Sequence, residues 1–71
     1  METISSDGSA RLVQVMLRAV SVFESEQAAW AWLQLPNGAL SGATPASLLG
    51  TVRGTASVLE VLGRIEHGVF S

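Results

Sequence analysis

His67 is the only imidazole among the 71 residues, beside six carboxylates, four arginines and no cysteine. As a general base it needs an activated hydroxyl or thiol within hydrogen-bond reach, and no motif pairs it with any one serine. As a metal ligand it needs several convergent partners, which six dispersed carboxylates do not supply. Glu60 and Glu66 lie six residues apart, on different faces of one helix, and make a poor acid–base pair. Gly50-Thr-Val-Arg-Gly54 is too short for a phosphate loop and lacks its lysine. These residues predict a protein that is not an enzyme, holds no cofactor or metal, and acts by contact.

The residues suited to contact are few. Trp30 and Trp32 are next-but-one neighbours and cannot face the same way on a helix. One is expected in the core; the other, Trp30, points outward, either as a partly exposed ring or as an interface anchor. His67 falls where a helix C-terminus favours imidazolium, so it either compensates the dipole or meets a partner. Arg64 reads equally as an exposed helix charge or an interface arginine.

Composition narrows the partner. The net charge is −2, and Arg11, Arg18, Arg53 and Arg64 are scattered rather than clustered as phosphate binding requires. Nucleic-acid binding by this chain alone is therefore poorly supported. The N-terminus carries acid where a signal peptide needs base, and no apolar run approaches about 18 residues. A cytoplasmic protein with no membrane contact is expected. Hydrophobic residues make up 48% and charged residues only 14%. A chain this short buries about 60% of its unfolded surface, so a partner or a second copy is the expected source of extra stability.

The elements that position these residues are all helical. Residues 1–8 read as a disordered leader and 9–71 as one domain. A first helix is expected from near Ser9 to near Val22, with Leu12, Val15, Met16, Ala19, Val22 and Phe23 on one face and Arg11, Gln14 and Arg18 on the other. Ser25 should cap a second helix, whose Ala28, Ala29, Trp32 and Leu33 share a face. Pro36 ends it. Asn37-Gly38 tolerates positive φ and makes a turn; a β-hairpin there is rejected, since its flanks lack β-branched alternation. Thr44-Pro45 starts a short helix anchored by Leu48 and Leu49 and stopped by Gly50. Thr51 caps the last helix, from about Val52 to Glu66 or His67, with Val58, Leu59, Leu62, Ile65 and Val69 as its apolar stripe. Glu60 and Arg64 form an i,i+4 pair. Gly54 and Gly63, unfavourable mid-helix, suggest close backbone approaches. The expected fold is all-α, a compact bundle of about four helices with the third short.

From about Val20 onward the chain resembles the toxin-binding domain of the Xre/MbcA/ParS antitoxin family. The resemblance is carried by Ala31-Trp32-Leu33, Pro36-Asn37, Leu40-x-Gly42, Thr44-Pro45 with Leu48-Leu49, Thr51-x-x-Gly54, and Leu62-Gly-Arg-Ile-Glu-His-Gly-Val69. It implies an antitoxin, or a related immunity protein, that binds a RES-domain, NAD-degrading toxin and covers its active-site entrance. It also implies a hetero-oligomer with that toxin, with self-association of the antitoxin as one route to it. The segment after Arg-Ile-Glu-His-Gly is where the family approaches the cleft, which assigns Arg64, His67, Gly68, Val69, Phe70 and the Ser71 carboxylate. Phe70 suits an apolar pocket, and the carboxylate suits a site built for the anionic groups of a dinucleotide.

The chain departs from the family in two places. It is expected to lack the N-terminal helix-turn-helix that many members carry. Ala46-Ser47 and Val52-Arg53 also stand where an acidic residue is usual. Two other functions compete. A small DNA-binding transcriptional regulator predicts salt-dependent DNA binding; a dimerisation module of a longer protein predicts self-association that depends on Trp30.

Overall fold

The computed structural model describes residues 6–67, which form three α-helices and two 3₁₀ turns, with no strand among the described residues. The all-α reading holds. Helix α1 spans Ser6–Phe23, starting three residues before Ser9, so residues 6–8 are helical where a leader was expected. Its C-terminus is set by Glu24, which adopts φ 58° and donates its N–H to the Val20 carbonyl at 2.6 Å. A left-handed residue is the common way to end a helix, although glycine usually fills the position. Helix α2 is Glu26–Leu33. Ser25 caps it as expected, its hydroxyl accepting from the Ala28 N–H at 3.1 Å.

The Asn37-Gly38 turn exists, with different geometry. Asn37 is extended (φ −128°) and caps a 3₁₀ turn at Gly38–Leu40, its Oδ1 accepting from the Ala39 N–H at 2.8 Å. Positive φ falls instead on Ser41 (59°) and Gly42 (85°). There the chain reverses, so that Asn37 N–H reaches the Ala43 carbonyl at 3.0 Å. The asparagine side chain serves as a cap and leaves the left-handed step to the residues after it.

Thr44-Pro45 starts the second 3₁₀ turn, Pro45–Leu48. Thr44 Oγ1 accepts from the Ser47 N–H at 3.3 Å, and Ser47 Oγ donates to the Thr44 carbonyl at 2.7 Å. Four residues are too few to offset α-helix nucleation, and the expected short helix takes the tighter form. Helix α3 is Val52–His67. Thr51 is its cap: Oγ1 accepts from the Gly54 N–H at 2.9 Å, and the Thr51 carbonyl accepts from Thr55 Oγ1 at 2.8 Å.

The core is Val15 and Ala19 from α1, Ala29 and Leu33 from α2, Leu40 and Leu49 from the turns, and Val58, Val61 and Leu62 from α3. Phe23 and Trp32 pack at its edge, ring centroids 5.8 Å apart and tilted by 44°, a favoured aromatic geometry. Ala28, expected on the inward face of α2, is exposed. The α3 stripe is also corrected. Val61 is buried, whereas Ile65 is 37% exposed; Val69 lies outside the described residues.

Two arginines expected on the outer side of α1 turn back to hold the fold. Arg11 donates from Nε to the Leu49 carbonyl at 2.9 Å and from Nη2 to the Gly50 carbonyl at 3.2 Å. Those carbonyls close the second 3₁₀ turn, where helical partners run out. Arg18 Nη2 lies 2.7 Å from Glu66 Oε1. The two clamps join α1 to the start and to the end of α3, so the two helices run parallel. The glycines divide. A Cβ on Gly54 would overlap the Leu48 carbonyl, whose carbon would lie 2.9 Å away, so the expected close approach is there. At Gly63 a Cβ would meet only Arg18 Nη2 at 3.9 Å.

Candidate functional site

The sequence placed three described residues in the site: Trp30, Arg64 and His67. The structure brings two together. Arg53, Ser57, Glu60, Arg64 and His67 are all exposed on α3, and their spacing of four, three, four and three residues sets them on one face. Helix α3 owes this to a clean division of sequence, since Thr55, Val58, Val61 and Leu62 are the buried residues that turn the polar ones outward.

The electrostatics of this face are local. Arg64 Nη2 lies 3.2 Å from Glu60 Oε2, the expected i,i+4 pair, with both side chains mostly in water. Such a pair contributes at most a few tenths of a kcal/mol, and separating it to meet a partner is cheap. His67 Nε2 lies 3.7 Å from Glu66 Oε1, the same oxygen that faces Arg18. Glu66 is thus engaged with α1, and His67 remains mostly exposed beyond it. The clamp also ties the last turn of α3 to α1.

Beside this face is a shallow groove of about 260 Å³ between the two turns and α3, bordered by Leu40, Leu48, Ser57, Glu60 and Arg64. Ser57 was missed as a neighbour on this face, although the same three- and four-residue spacing that pairs Glu60 with Arg64 marks it. The groove itself depends on Leu40 and Leu48, which only the folded loop brings to α3.

Trp30 is 43% exposed on α2, which packs against α1 and the second 3₁₀ turn. It is the outward tryptophan, as expected, on a different element from the polar face. Gly68, Val69, Phe70 and Ser71 lie outside the described residues and follow directly on His67.

No group of three or more His, Cys, Asp or Glu among the described residues could hold a metal ion. No helix there is long and apolar enough to cross a membrane. The fold and this face define a small helical contact module. Residues 18–68 match the antitoxin Xre/MbcA/ParS C-terminal toxin-binding domain, and the chain belongs to that family. It is 42% identical over 67 residues to an antitoxin Xre of Yersinia enterocolitica, covering 93% of this chain and 45% of that protein. It is 41% identical over 63 residues to an antitoxin Xre of Photorhabdus laumondii, covering 87% of this chain and 43% of the relative. The chain therefore spans less than half the length of these relatives.

Proposed function

We propose that the chain acts as an antitoxin. It binds a RES-domain, NAD-degrading toxin and obstructs the active-site entrance with the segment that leaves α3. Arg64 and His67 form the base of that segment; Gly68, Val69, Phe70 and Ser71 form its reach. The observation that carries the reading is the membership of residues 18–68 in a toxin-binding domain family, a match that takes in the last turn of α3 with its exposed Arg64 and His67. The Arg18–Glu66 clamp supports it physically. A segment launched from a fixed turn loses less freedom on binding than one launched from a fraying helix end. Trp30 is assigned to the same toxin as a second anchor, since partly exposed tryptophans are over-represented among residues that dominate interfaces.

The test is co-expression with a RES-domain toxin. The intact chain should restore growth and cellular NAD, and deletion of residues 69–71 should abolish protection. Full protection by the shortened chain would remove the blocking segment from the mechanism, and NAD loss unaffected by the intact chain would overturn the antitoxin reading itself.

A further inference from the structure

Helix α3 outruns the core that holds it. Leu62 is its last buried residue, and Arg64, Ile65, Glu66 and His67 beyond it are all exposed. A helix end with so little buried apolar contact opens at small cost in free energy, the more so because its last carbonyls have no partner within the helix. Among the described residues, one ion pair ties this end to another element, and it starts at Arg18. Arg18 stands beside the fully buried Ala19 on α1. Its guanidinium passes Gly63, where an added Cβ would lie 3.9 Å from Nη2, and ends 2.7 Å from Glu66 Oε1. That same oxygen is 3.7 Å from His67 Nε2. The setting of Arg11 is different. Its partners, the Leu49 and Gly50 carbonyls, lie in a region that the buried Pro45, Leu49 and Thr55 already fix.

We propose that Arg18 and Glu66 are positioning residues for toxin inhibition. They hold the last turn of α3 in order before the toxin arrives, so that Arg64 and His67 meet it without that turn having to be ordered on binding. The assignment rests on the antitoxin reading of the α3 end. Its size follows from the pair itself. Apparent affinity falls in proportion to the fraction of chains whose binding turn is formed, and an exposed ion pair changes such a fraction by up to about fivefold. With side chains 41% and 34% exposed, the pair adds little to global stability. The two arginines of α1 therefore divide: Arg11 serves the fold, and Arg18 serves the contact.

Inhibition of a purified RES-domain toxin's NAD consumption, with thermal melts on the same chains, tests the division. Arg18→Met keeps the apolar stem and removes the charge. It should raise the inhibition constant about two- to fivefold while the thermal midpoint moves by less than about 4 °C. Arg11→Ala should lower the midpoint by more than that and, where it is still folded, leave the inhibition constant unchanged. Exchanging the pair, Arg18→Glu with Glu66→Arg, should recover the inhibition that Arg18→Glu alone loses; a direct contact between Arg18 and the toxin would not be restored. Hydrogen exchange on the free chain gives a readout that needs no toxin. The amides of residues 64–67 should exchange about two- to fivefold faster in Arg18→Met, with those of residues 58–62 unchanged. Unaltered amides, undiminished inhibition by Arg18→Met, or an exchanged pair no better than Arg18→Glu would each overturn the positioning role alone. A parent chain that leaves NAD consumption untouched overturns the antitoxin reading, and the positioning role with it.

Discussion

Gly54→Ala and Gly63→Ala are the same substitution in one helix, and the structure predicts opposite outcomes. Alanine in place of a mid-helix glycine ordinarily stabilises by about 1 kcal/mol. At Gly63 the added methyl meets only the far end of Arg18, at an ordinary contact distance of 3.9 Å, so most of that gain should appear. At Gly54 the methyl overlaps the Leu48 carbonyl and comes within 3.0 Å of Leu48 Cβ. Backbone cannot rotate aside, and this turn is held by the Thr44–Ser47 bonds and by the buried Pro45 and Leu49. Overpacking of this kind costs about 1–3 kcal/mol, and contact with backbone places Gly54 in the upper part of that range. The net effect is a loss of about 1–2 kcal/mol. For a domain of this size each kcal/mol moves the thermal midpoint by roughly 4–8 °C. Circular dichroism melts should therefore show Gly63→Ala about 4–8 °C above the parent and Gly54→Ala about 4–16 °C below it. A Gly54→Ala chain as stable as the parent would refute the close approach of α3 to the second 3₁₀ turn.

Two further substitutions test the joints of the fold. Arg11→Ala removes both bonds to the Leu49 and Gly50 carbonyls. It should lower urea-measured stability by about 1–2 kcal/mol, whereas an outward-facing arginine would leave it unchanged. Glu24→Gly should raise stability by about 0.5–1 kcal/mol, because glycine occupies the left-handed region without the strain of a Cβ. A fall in the denaturation midpoint would show that the glutamate side chain stabilises the α1 end by another route.

The legible parts of this fold were those written in local chemistry. Ser25, Thr44 and Thr51 each cap an N–H three residues on, so residue type and position suffice to read them. Pro36 and Pro45 mark boundaries for the same local reason. Arg11 could not be read that way, since its partners lie 38 and 39 residues along the chain. Nor could Arg18, whose solvent-side position on the helix wheel conceals a reach to Glu66. The confusion between Val61 and Ile65 has a similar origin. They are one turn apart on the same side of α3, but Val61 borders the groove made with Leu40 and Leu48, and Ile65 lies one turn beyond it. Periodicity gives direction on a helix; cover depends on how far the neighbouring element extends. The same limit applies to the site. Arg64 and His67 share a face by spacing alone, while the place of Trp30 on a separate element depends on the packing of α2.

The central claim is that the segment leaving α3 obstructs a toxin's active site while the helical body supplies binding. Calorimetry and an NAD-consumption assay on a purified RES-domain toxin, comparing the intact chain with one ending at His67, test it most directly. The account predicts that the shortened chain still binds, about 10- to 100-fold more weakly through the loss of roughly 1.4–2.8 kcal/mol, and that NAD consumption continues in the saturated complex. Full inhibition by the saturated shortened chain would contradict it.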